Sequence, residues 1–170
     1  MSSQTIQGAE DVKRALRELP DKLRRRMLRT ALAAGARVVR DAAKLAAPVL
    51  ARDTPTRTAG LVRDRIKVRT SKRDKRDGNV GVFVNVAPAK GGRGARSKTD
   101  PYYWQWLEFG RGAGMTKRRT SGGKRVSMRV GAIAPMRFLA APGGAMPSTA
   151  LPKIEASLAR SVQRLNQRRP

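Results

Sequence analysis

The chain has 170 residues, with 38 lysines and arginines against 12 acids, a formal net charge of +26, and neither histidine nor cysteine. These counts exclude disulfides, thiolate chemistry, histidine general bases, the usual zinc sites and the serine triad. They predict one domain with a real core and a polyanionic partner, whether nucleic acid, an anionic membrane or an acidic protein.

The opening Met1-Ser2-Ser3-Gln4-Thr5 lacks the pattern of a secretory signal, and the longest apolar run, residues 45–51, is too short to span a bilayer. With no disulfide, an intracellular product or one stabilised by assembly is expected.

Residues 4–8 read as a short first strand. Val12, Ala15, Leu16 and Leu19 follow helical spacing, which predicts an amphipathic helix over 9–19. Pro20-Asp21 ends it and starts a long second helix, with Asp21 as cap or first-turn acid. Its stripe of Leu28, Ala31, Leu32, Gly35, Val38, Val39, Ala42, Leu45 and Ala46 runs to Pro48. The stripe is mostly small, so close packing along the whole helix is expected.

After a Pro/Thr loop, Val62, Ile66 and Val68 predict a strand, and Val80, Val82, Val84 and Val86 a second. Asp77-Gly78 marks a turn in the basic segment joining them, residues 70–79, so the pair reads as a hairpin with a basic tip. A hairpin alone is marginal in water, so it must join a larger sheet packed on the long helix. Residues 87–100 and 111–124 read as basic loops. Val126, Met128 and Val130 predict another strand, residues 134–142 an ordered apolar turn, and Leu151, Ile154, Leu158, Val162 and Leu165 a final helix with a basic tail. The expected fold is α+β over residues 1–170: two layers, the long and C-terminal helices packed on a small, mostly antiparallel sheet.

Five of the seven aromatic residues lie between Tyr102 and Phe109; only Phe83 and Phe138 stand elsewhere. With so few large apolar side chains, this segment is either the centre of the core or a subunit anchor. The candidate interface residues are Tyr102, Tyr103, Trp104, Trp106, Glu108, Phe109 and Phe138. The expected partner of Glu108 is a neighbouring cation such as Arg111 or Arg137. Candidate contacts to DNA or an acidic partner are Lys72, Arg73, Lys75 and Arg76 at the hairpin tip, and Arg93, Arg96, Lys98, Lys117, Arg118, Arg119 and Lys124 in the loops.

The acids are scattered, and nothing places a carboxylate pair for hydrolysis or two-metal chemistry. Gly91-Gly92-Arg93-Gly94 and Gly122-Gly123-Lys124 lack phosphate-loop spacing and read as linkers. No enzyme, metal or cofactor is expected.

Taken in order, several segments resemble the gene-product-ten-like family of long-tailed (siphovirus-type) bacteriophages, the neck or tail-completion proteins of the head–tail junction. They are the short and long helices ending in Ala47-Pro48, Thr58-Ala59-Gly60-Leu61 before a strand, Tyr102-Tyr103-Trp104 with Leu107-Glu108-Phe109-Gly110, and Pro135-Met136-Arg137-Phe138-Leu139 before a last helix. The chain departs from the family's pattern where Ala59 separates Thr58 from Gly60, where Met136-Arg137 interrupts Pro-Phe-Leu, and in a longer stretch at 111–133. The resemblance implies a non-enzymatic virion protein, made in the host cytoplasm. It implies a ring of its own copies, commonly sixfold, and contacts with a tail terminator, head–tail connector or tail-tube protein.

A globule of this size is roughly 40 Å across, and a channel that tall would enclose about 24 phosphates of double-stranded DNA. One subunit's +26 matches that number, and six copies exceed it several-fold. Genomic DNA in the channel therefore cannot neutralise such a ring, and acidic faces of neighbouring virion proteins are the expected counter-charge. The competing reading is a free-standing basic nucleic-acid-binding protein, although its aromatics are not interleaved with basic residues as a stacking platform needs. Basic amphipathic helices would also permit a membrane-active protein; the strand pattern opposes it, and no membrane partner is expected.

Overall fold

The computed structural model describes residues 9–55, 57–89, 98–120 and 122–167. Its elements are α1 (Ala9–Arg17), α2 (Asp21–Ala46), α3 (Leu61–Asp64), β1 (Ile66–Thr70), α4 (Lys72–Arg76), β2 (Val82–Val86), α5 (Trp104–Phe109), β3 (Gly114–Arg119), β4 (Arg125–Val130), α6 (Ala140–Ala145) and α7 (Pro147–Asn166). The fold is α+β. The strand expected at residues 4–8 lies outside the described residues.

Helix α2 is the spine. Pro20 ends α1 and presets the backbone for α2, and Asp21 in the first turn pairs with Arg24. Pro48 bars the helix from continuing. Met27, Ala31, Gly35 and Ala43 form its buried stripe, and the small residues do what small residues permit. A Cβ on Gly35 would lie 2.5 Å from Cγ1 of Ile154 and 3.2 Å from the carbonyl oxygen of Ala150, both on α7. The two long helices therefore meet almost backbone to backbone. Helix α7 starts with Pro147 in its first turn, where the missing amide costs nothing, and it also carries Pro152 internally, which removes one helical hydrogen bond.

Strands β1 and β2 are antiparallel, with Ile66 opposite Val86 and Val68 opposite Val84. This sheet packs on α2. Ile66 and Val86 join Ala43, Ala47, Val62, Tyr103 and Phe138 in the core, with Val84, Tyr102, Trp104, Trp106, Leu107 and Leu139 packed around them. Burying Ile66 and Phe138 contributes about 1.5–3 kcal/mol each.

Three local expectations are corrected. Val62 belongs to the helical turn α3, and β1 starts only at Ile66. A spacing of four satisfies a helix as well as a strand, so Val62 and Ile66 fit both patterns. Gly60, at φ 72°, turns the chain into α3. The tip of the first hairpin is not a plain loop: Ser71 accepts a hydrogen bond from the Asp74 amide at 3.2 Å and caps α4. Finally, residues 114–119 of the expected second loop form β3, which pairs with β4 from Gly114↔Val130 to Arg119↔Arg125. The described strands thus make two separate two-stranded sheets. Strands β3 and β4 pack chiefly on each other, and residues 114–117 are all exposed, so burial imposes no alternation on them.

Candidate partner-binding surface

Helix α5 carries the aromatic segment. Tyr102 meets Tyr103 edge-on at 5.5 Å and Trp106 edge-on at 5.6 Å, and Trp104 lies 6.5 Å from Phe109. These are favourable geometries for aromatic pairs. The guanidinium of Arg57 sits 4.6 Å above the Tyr103 ring, and that of Arg111 4.6 Å above Trp106. Burial raises the Tyr103 phenol above its ordinary value; Arg57 opposes that shift and Tyr102 adds to it.

Glu108 is 2 % exposed. The expected salt bridge to Arg111 or Arg137 is not what satisfies it. The backbone N–H of Leu139 donates to its Oε2 at 2.9 Å, and that of Ala140 to its Oε1 at 2.8 Å. The backbone continues the same seam: the Met136 amide donates to the Leu107 carbonyl (2.8 Å) and the Arg137 amide to the Glu108 carbonyl (3.2 Å). A carboxylate is needed because both partners are donors and an ionised side chain offers two acceptors. Gly110 follows at φ 79°, and a Cβ there would approach the Ile133 carbonyl and the Pro135 nitrogen at 3.0–3.1 Å. Thus Leu107-Glu108-Phe109-Gly110 and Pro135-Met136-Arg137-Phe138-Leu139 are two halves of one joint. Arg137 passes through it at φ 48°, an uncommon backbone for a residue other than glycine.

The seven interface candidates therefore divide. Tyr103, Glu108 and Phe138 are buried and serve the core. Tyr102, Trp104 and Trp106 are half-buried. Phe109 is 71 % exposed, held outward on an element that Glu108 anchors. Exposed Met136 follows the same seam. A further apolar group, Leu45 (90 % exposed), Val49 and Leu50, closes the far end of α2.

The basic candidates are not gathered into one site. Lys72, Arg73, Lys75 and Arg76 lie on α4, and Lys98 is exposed beyond β2. Lys117 and Lys124 are exposed on the β3–β4 ribbon, where the Arg118 and Arg119 backbones also lie; the side chains of those two, and all of Arg93 and Arg96, fall outside the described residues. At the ribbon's base, Arg111 and Ile133 exchange backbone bonds of 2.9 and 2.8 Å, and Arg111 also donates to the Gly131 carbonyl at 3.2 Å. Together with its stacking on Trp106, this ties the ribbon to α5. The sequence reading missed a second cationic cluster, formed where Arg37, Arg40 and Lys44 of α2 face β1. The three lie on one helix face, but nothing in the sequence says which strand runs beside them.

Among the described residues no acid, histidine or cysteine group could hold a metal ion, and no helix is long and apolar enough to cross a membrane. The model of the family described as "Bacteriophage HK97-gp10, putative tail-component" matches residues 10–110. The chain belongs to this HK97-gp10-like family. The matched region runs from α1 to Gly110, so it takes in the spine, the first sheet and the aromatic helix and ends at the glycine of the joint. No curated protein and no solved structure matches the chain significantly. Membership makes the protein a phage tail component by family and assigns it to the virion at that coarse level.

Proposed function

We propose that the protein is a non-enzymatic structural subunit of the head–tail junction. In this reading its copies form a ring, of sixfold order by analogy with the family resemblance, that joins a connector or tail terminator to the tail. The observation that carries the proposal is Phe109. It is a large aromatic ring held in solvent by a rigid, doubly anchored helix inside the family-matched region. Exposed aromatic anchors on rigid elements are the usual hot spots of protein interfaces. The charge excess over any enclosed DNA supports acidic protein faces as the main neighbours, with DNA contact limited to the channel.

The test is a phage lacking this gene, with the protein supplied in trans. The expected result is filled heads and finished tails that fail to join, restored by the wild-type chain and not by Phe109→Ser. Complete, infectious particles without the protein, or its absence from purified particles, would overturn the reading. A protein recovered on host DNA, with binding that falls steeply as salt rises, would favour the nucleic-acid alternative instead.

A further inference from the structure

We propose that the open edge of β1 accepts an extended acidic segment of a neighbouring polypeptide as an added strand. The origin of that segment rests on the virion reading above; the site itself rests on the geometry that follows.

Among the described residues, strand β1 has a partner on one side only. The Ala87 amide donates to the Arg65 carbonyl and the Ser71 amide to the Gly81 carbonyl, both at 2.8 Å. These bonds flank the ladder and fix its phase. In an antiparallel pair, hydrogen-bonded and non-bonded positions alternate, so Lys67 and Arg69 bond to β2 while the N–H and C=O groups of Ile66, Val68 and Thr70 point away from it. Among the described residues none of these three has a backbone partner outside the ladder.

A cleft of about 450 Å³ lies between α2 and this sheet and reaches Val82 of β2. All five β1 residues line it, with Arg37, Arg40 and Lys44 of α2 opposite. Ile66 is buried and Lys67 and Arg69 lie on the opposite face of the strand, so an added strand would meet cations on both faces: the α2 residues on one, Lys67 and Arg69 on the other. Asp64 is the one acid of the lining, and it pairs with Arg63 at 3.0 Å. Arg40 is shared with Asp41 at 2.8 Å.

The chemistry favours a peptide over a nucleic acid. The edge presents carbonyl acceptors as well as amide donors, and a phosphodiester has no donor for the carbonyls. The lining contains no aromatic ring for a base to stack on, and its remaining members include Ala33, Val68 and Val82. A strand added to a sheet edge supplies both kinds of backbone group and places alternate side chains where the cations lie. A second copy of this chain is disfavoured as the source, because none of its described strands contains an acid.

The probe is a fluorescent octapeptide alternating Glu and Thr, titrated against the full chain by anisotropy. The expected result is binding that weakens about tenfold when alternate peptide amides are N-methylated, because only the backbone pairing changes. Thr70→Pro removes an outward N–H and no β1–β2 bond; it should weaken binding about fivefold or more with an unchanged circular dichroism spectrum. The triple variant Arg37→Ser, Arg40→Ser, Lys44→Ser should weaken it and flatten its salt dependence. Equal binding of the methylated peptide, or no binding of either, overturns the proposal. So does tighter binding of a DNA duplex that is lost in the triple variant and unaffected by Thr70→Pro, which would assign the cleft to nucleic acid. None of these results depends on the protein's place in the particle, so a failure here is distinct from a failure of the junction reading.

Discussion

Gly35 of α2 faces Ile154 of α7 so closely that any side chain on the glycine would collide with the isoleucine. Gly35→Ala is therefore set between two effects. Helix propensity favours alanine by about 1 kcal/mol, while overpacking costs about 1–3 kcal/mol. The nearby Ala150 carbonyl, which cannot rotate away, tips the balance. Chemical denaturation should show a net loss of stability that shrinks when Ile154→Ala is added. Additive effects of the two changes would show that the contact is not tight.

Glu108→Gln replaces one of two acceptors with a donor that meets a backbone N–H. The expected loss is about 1–3 kcal/mol, read as a lower denaturation midpoint with the helical signal retained. A Glu108→Gln variant as stable as the wild type would mean that the joint between α5 and α6 does not need the carboxylate.

Phe109→Ser separates stability from assembly. The ring is mostly in solvent, so unfolding should shift by no more than about 0.5 kcal/mol. Ring formation or head–tail joining should fall about tenfold or more, as for a hot-spot residue. Normal assembly by a folded Phe109→Ser variant would remove Phe109 from the interface.

Tyr103 predicts an alkaline limb. Its folded-state value is raised above the ordinary 10.0, chiefly by burial. The native state thus holds the proton more tightly than the unfolded chain, and the resulting stability is present below about pH 10 and lost as pH rises beyond it. In thermal melts across this range the wild type should lose stability with rising pH relative to Tyr103→Phe, which has no phenol to ionise. Parallel curves would contradict the assignment.

Replacing Lys72, Arg73, Lys75 and Arg76 with Ser keeps the Ser71 cap and touches no buried group. The fold should survive with a change within about 0.5–1 kcal/mol. If α4 contacts DNA or an acidic neighbour, particles should form poorly or lose their genome. Unchanged assembly and unchanged DNA retention would take this tip out of the function.

Strong periodicity made the spine readable in outline: the bounds set by Pro20 and Pro48 and the alternating valines of β2 follow from local pattern. The expected α2 stripe matches the buried one at Ala31 and Gly35, but it missed buried Met27 and Ala43 and took in exposed Leu45 and Ala46. The family segments were legible too, but not their union. That Glu108 would bind the amides of Leu139 and Ala140 depends on contacts 31 and 32 residues apart, and no local spacing encodes them. Strand β3 was hidden for the opposite reason. Residues such as Thr116 and Lys117 face no core, so burial never imprinted a period on them. The β1 cleft needed both a helix face and a strand edge to be placed before its charges formed a group.

The β3–β4 ribbon stands outside the packed core and is fastened near its root by Arg111. Its length and charge can change without disturbing the folding of the rest. Fit to a new neighbour can thus be tuned in the ribbon while the body of the protein stays as it is, much as a key is recut without altering its bow.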